Sequence, residues 1–109
     1  MLTMFLLGLA LGGGSVEKGD AIMQAQFDLL KMSYACGDPL YRSKRDSTRR
    51  WIERLDGNTT YRMQDIAELD SGLKNGTIKP ATPVDRGDCM KLLADGQAKV
   101  DTLFEQYSH

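Results

Sequence analysis

Apolar residues recur along this chain at three- and four-residue steps, the spacing that gathers them on one side of a helix. The clearest stripe falls near the end, from about Asp88 to Tyr107. There Cys89, Leu92, Gly96, Val100, Leu103 and Tyr107 align, widened by Leu93 and Phe104. This pattern predicts a last helix around which the rest of the chain would be arranged. The first predicted helix runs from Asp20, a suitable N-cap, to Cys36. Gly37 suits the left-handed position that closes a helix, and Pro39 discourages continuation. This helix has two stripes: Ile22, Ala25, Leu29, Met32 and Cys36 on one, and Met23, Phe27, Leu30 and Tyr34 on the other. Together they make a face wide enough to touch two neighbours.

Two further helices are predicted between these. Leu40–Leu55 places Leu40, Tyr41, Trp51, Ile52 and Leu55 on one side, shared with Lys44 and Thr48, before Gly57 ends it. From about Tyr61 to Lys74 a thinner apolar face holds Met63, Ile66, Ala67 and Leu73, with Asp65, Glu68 and Asp70 on the expected wet side. Asn58, Thr59 and Thr60 are available to cap it, and Asn75-Gly76 is a strong stop. Pro80 and Pro83 make Thr77–Val84 an extended connector that crosses the bundle, after which Asp85 or Asp88 caps the last helix. No stretch alternates at the period of a strand. The expected fold is all-α, a small bundle of three to four helices, with residues 16–109 as a single helical domain.

Met1–Leu11 is an uncharged apolar run followed by Gly12-Gly13-Gly14-Ser15. It is well short of the ~20 apolar residues that a spanning helix needs. Its length is that of a signal-peptide core, although no Lys or Arg precedes it and no A-x-A site follows. Residues 1–15 are therefore read as a signal peptide or apolar leader, and the protein as periplasmic or secreted with no stable membrane span.

The two cysteines of the chain strengthen that reading. Cys36 closes the first predicted helix and Cys89 opens the last, both on apolar stripes. If those helices pack antiparallel, the two ends meet, and an exported chain would join them as a disulfide. Such a bridge would stabilise the fold by about 4 kcal/mol in the chain-entropy account. That is a large share of what a domain of 109 residues possesses. Neither cysteine sits in a C-x-x-C pair or another redox motif.

The formal net charge of −1 conceals an asymmetry. Between Arg42 and Arg54 stand six basic residues against Asp46 and Glu53, so the remainder of the chain is acidic. Arg42, Arg45, Arg49 and Arg50 fall on the polar side of their predicted helix and are candidates for contact with an anionic partner. Asp46–Arg50 and Arg49–Glu53 have the spacing of helical ion pairs. Nucleic acid is not expected as a partner, because the chain has no aromatic stacking run and no groove-reading motif.

Candidate chemistry is sparse. His109, the final residue, is the one histidine, which removes most acid–base, triad and zinc arrangements. No spacing of Cys, His, Asp and Glu suggests a metal, and no Gly-rich loop joins a strand to a helix. No catalytic residue, cofactor or metal is expected. Arg86-Gly87-Asp88 spells an adhesion tripeptide, and Asn58-Thr59-Thr60 and Asn75-Gly76-Thr77 spell glycosylation sequons. Each is also an ordinary turn or cap. A leader, short helices and one long-range disulfide are similar in architecture to small periplasmic helpers such as secretin pilotins and acid-stress chaperones, with no motif shared. The expected function is an exported, non-catalytic interaction protein: an adaptor, inhibitor or immunity-type partner of another envelope or secreted protein. The alternative is a binding module for anionic ligands, phosphate-bearing lipid or polysaccharide, working through Arg42–Arg54.

Overall fold

The structure, a computed structural model, describes the backbone of residues 2–80 and 83–108 and the side chains of residues 15–80 and 83–108. Four α-helices form an all-α bundle: α1 (Leu2–Ala35), α2 (Tyr41–Leu55), α3 (Met63–Asn75) and α4 (Cys89–Ser108), the last preceded by a single 3-10 turn, Arg86–Asp88. The hub is α1 rather than α4. All three other helices pack on it, and α4 lies along it most extensively. The reason is the double stripe of α1. Ile22, Met23, Ala25, Leu29 and Leu30 are all buried, whereas Val100 is the one fully buried residue of α4.

One core cluster joins Ile22, Met23, Ala25 and Leu29 of α1 to Trp51 and Leu55 of α2, Ile66 of α3 and Val100 of α4. A second joins Leu30 to Leu69 and Leu73 of α3, and Phe27 packs against both clusters. Trp51 crosses to α4 and meets Phe104 edge-on at 4.9 Å. The Arg54 guanidinium lies over both rings, 4.4 Å from the first and 4.8 Å from the second. This is a cation–π arrangement that covers the aromatic pair.

The expected clasp is present. Cys36, just past the end of α1, is bonded to Cys89 at the start of α4 across a Cα–Cα distance of 5.9 Å. The helices are antiparallel. Halfway along, Gly96 gives Leu29 room, since a Cβ at Gly96 would lie 3.0 Å from Leu29 Cδ1. Near the other end, Leu103 and Gln106 lie beside Glu17, Lys18 and Ala21.

Several local expectations need correction. Asp20 does not cap α1, which already extends from Leu2. Its carboxylate instead accepts bonds from the Thr59 hydroxyl (2.5 Å), the Thr60 N–H (2.7 Å) and the Thr60 hydroxyl (2.8 Å). Burial alone would raise its pKa, but these donors outweigh burial and hold it below the ordinary value. Thr59 and Thr60 are thus tied to α1 and do not cap α3. That helix starts later than expected, with the Asp65 carboxylate accepting the Arg62 N–H at 2.8 Å. Met63 and Ala67 are exposed, and the buried face of α3 is Ile66, Leu69, Gly72 and Leu73. The leader reading rests on residues 1–15, of which 1–14 lie outside the described side chains.

Asp38 organises the α1–α2 corner. It accepts the Ser33 hydroxyl at 2.8 Å and the Leu40 N–H at 3.0 Å, and it pairs with Lys44. Burial pushes its pKa upward, but these partners prevail and lower it. At the other end of α2, Asp56 takes the left-handed conformation (φ 46°) while its N–H still bonds to Ile52 O, and Gly57 follows at φ 86°. Asp85 caps the 3-10 turn that precedes α4, accepting the Gly87 N–H at 2.9 Å, and Asp88 closes that turn immediately before α4.

Candidate functional site

The arginine stripe does not stand as one open face. Arg45 turns inward from α2: Nη1 reaches Asp70 of α3 at 3.3 Å, and Nε lies 3.7 Å from Asp46. That Nε is buried and has no hydrogen-bond partner among the described residues. Arg49 bonds to Asp46 at 3.1 Å, so the pairs formed are Asp46–Arg49 and Asp46–Arg45 in place of Asp46–Arg50 and Arg49–Glu53. Lys44 is held by Asp38, and Arg54 by Trp51 and Phe104. Arg42 and Arg50 are exposed and enter no ion pair among the described residues.

Asp70, expected on the wet side of α3, is the centre of a half-buried polar cluster. It accepts the Tyr41 hydroxyl at 2.6 Å, Arg45 at 3.3 Å and Lys74 at 2.9 Å. Burial raises its pKa, but the three donors overcome that and bring it down to about 2. Burial and the bond to Asp70 push the Tyr41 hydroxyl well above its ordinary value. These groups lock α2 onto α3. Apart from Arg45 Nε, these groups satisfy one another, so the cluster reads as structural.

What remains open lies beside α1. A hollow of about 560 Å³ sits between α1 and α3, floored by Phe27, Tyr61, Leu69 and Ile78. A second, of about 390 Å³, lies between α1, the connector and α4, with Met32, Pro80, Val84 and Leu92 in its walls. Lys31 lines both, so the two hollows adjoin at that residue as a two-part trough along α1. Ile78 folds back on α3, its N–H bonding to Gly72 O at 3.1 Å, and it needs Gly72 because a Cβ there would come within 2.4 Å of Ile78 Cδ1. The trough escaped the sequence because it is assembled from four segments, α1, α3, the connector and α4. The available signal was Ile78 and Val84, the branched apolar residues of the linker.

A second apolar cleft, about 420 Å³, lies between α2 and α4 and is lined by Leu40, Ser43, Ser47, Leu93, Ala94 and Gln97. Leu40 is 58% exposed there, and Met90, one turn ahead of Leu93 and Ala94, is 88% exposed.

The adhesion-like tripeptide is the exposed 3-10 turn before α4. In the sequons, Asn58 donates to the Tyr107 hydroxyl at 3.2 Å, and Asn75 accepts from the Thr77 N–H and hydroxyl. Among the described residues, no three His, Cys, Asp or Glu are placed to hold a metal, and no helix is long and apolar enough to cross a membrane. Comparison with known protein families, with curated proteins and with solved structures finds no match to this chain.

Proposed function

We propose that this chain is an exported, non-catalytic interaction protein, an adaptor, inhibitor or immunity-type partner of another envelope or secreted protein. Its partner seats in the trough beside α1. The observation that carries this reading is the trough itself, an apolar floor left uncovered beside α1 and rimmed by charged side chains. The Cys36–Cys89 bond supports an oxidising compartment, periplasmic or extracellular. The rival is a module for anionic ligands, supported by Arg42 and Arg50, which stand exposed and unpaired among the described residues. Against it, Lys44, Arg45, Arg49 and Arg54 are engaged within the fold.

Site-specific photo-crosslinking in the native host separates the two. A crosslinker at Glu68, on the trough, should give a discrete protein adduct, and one at Arg50 should give none. An adduct at Arg50 alone would favour the rival, and adducts at neither position would refute the trough reading. Thiol alkylation of the same material should modify neither cysteine until the protein is reduced.

A further inference from the structure

The charge lining the trough has a consistent sign. Asp28, Asp65, Glu68, Asp85 and Asp88 surround it, with Lys31 as the one cation among its lining residues. Five carboxylates against one ammonium is a strong local excess in a chain whose net charge is −1. All six ion pairs among the described residues use Asp38, Asp46, Asp70 or Asp95, and none uses a trough carboxylate. Among the described residues, the bonds the trough carboxylates make are short-range ones with neighbours on their own segment. Asp28 accepts from Gln24, Glu68 from Gln64, Asp65 from the Arg62 N–H and Asp85 from the Gly87 N–H. Tyr61, on the floor, feels the result: burial, then the charges of Asp20, Asp28 and Asp65, raise its hydroxyl pKa.

An apolar floor with an unpaired acidic rim is complementary to a segment that presents apolar side chains flanked by lysine or arginine. Resting on the interaction-protein reading above, we infer that the trough docks a cationic, amphipathic segment of a partner polypeptide. Apolar side chains of that segment cover Phe27, Leu69 and Ile78 on one side of Lys31 and Met32, Val84 and Leu92 on the other. Its basic groups meet the rim. Charge sets encounter rate and partner choice, and the floor supplies the salt-resistant part of the affinity.

The test uses the intact disulfide-bonded protein and three short peptides of equal length: lysine–leucine amphipathic, glutamate–leucine amphipathic and lysine–serine. Binding is followed by amide chemical shifts and by fluorescence anisotropy. The lysine–leucine peptide should shift amides around Phe27, Leu69, Ile78 and Val84, and should bind more tightly than the lysine–serine peptide. The glutamate–leucine peptide should leave those amides unmoved. The double substitution Glu68→Lys with Asp88→Lys should weaken the lysine–leucine complex about tenfold at low salt. Both side chains are exposed and outside every described ion pair, so the helical circular dichroism should be unchanged. Glu68→Gln with Asp88→Asn should give a smaller loss of the same sign. If the glutamate–leucine peptide occupies the trough equally well, the charge inference fails and the interaction reading stands. If trough amides shift with protein concentration alone, the occupant is a second copy of this chain and the inference is overturned. If no peptide perturbs the trough, the inference also falls, and the Glu68 crosslink shows independently whether the interaction reading falls with it.

Discussion

Replacing Gly19 by alanine sets two effects of opposite sign against each other. Helix propensity favours alanine over glycine by about 1 kcal/mol in a helix interior. Gly19, however, is buried where the α2–α3 loop crosses α1, and a Cβ there would lie 1.7 Å from the carbonyl oxygen of Asn58. Bringing that contact to 3.0 Å requires the loop to withdraw by 1.3 Å (3.0 − 1.7). The same displacement directed away from α1 would stretch the three bonds from Thr59 and Thr60 to Asp20, now 2.5, 2.7 and 2.8 Å, beyond hydrogen-bonding distance. At roughly 1 kcal/mol net per bond, their loss outweighs the gain in propensity. The expected result is a destabilisation of about 2 kcal/mol, in the usual range for overpacking. Urea unfolding followed by circular dichroism measures it. Gly96→Ala is the matched control, because its Cβ meets Leu29 alone and no backbone, nearest at the Cδ1 methyl at 3.0 Å, a contact that a shift of a few tenths of an ångström relieves. It should stay within about 0.5 kcal/mol of the parent. A Gly19→Ala variant as stable as the parent, or more so, would refute the close approach of loop and helix.

Reducing the Cys36–Cys89 bond, or replacing both cysteines by alanine, should cost about 4 kcal/mol for a bridge spanning 53 residues, read from urea midpoints with and without reductant. The Asp70 cluster gives a pH signature. Its folded pKa of about 2 lies below the ordinary 3.8, so its contribution is complete above the ordinary value and is lost as pH falls through about 2. Asp70→Asn should lower stability at neutral pH and flatten the acid limb of a pH–stability curve between those values. Asp56→Gly should stabilise the protein by about 0.5 kcal/mol, because the left-handed conformation at the end of α2 costs a residue with a Cβ. A thermal melt showing no gain would contradict that geometry.

Features encoded by neighbours along the chain were legible in the sequence. The double stripe of α1, the stop at Gly37 and the α3 terminus at Asn75-Gly76 follow from local periodicity and turn chemistry, and the cysteine pairing follows once both cysteines are placed at helix ends that antiparallel packing brings together. What stayed hidden was the tertiary use of polar side chains. Asp20 has every mark of an N-cap, yet its donors come from Thr59 and Thr60, across the turn between two other helices. Asp70 occupies a polar position on the α3 wheel, but the Tyr41 hydroxyl and Arg45 of α2 meet it there. A wheel shows which side of a helix is polar and cannot show that another helix also brings polar groups to that side.

The same limitation explains why a basic run in this sequence does not become a basic surface. Of the six cations between Arg42 and Arg54, Lys44 is neutralised by the α1–α2 corner, Arg45 by α3 and Asp46, and Arg49 by Asp46, while Arg54 covers the Trp51–Phe104 pair. Pairing α2 internally consumes acids from other elements, Asp38 and Asp70, and leaves the carboxylates of the trough without cationic partners among the described residues. Docking a basic helix inward therefore leaves an acidic surface outward, on the opposite side of α1 from where the sequence directs attention. Neutralising Arg42 and Arg50 removes charge from a mixed, solvated face, whereas neutralising Glu68 and Asp88 removes it from the two adjoining hollows where apolar floor and unpaired carboxylates lie together among the described residues.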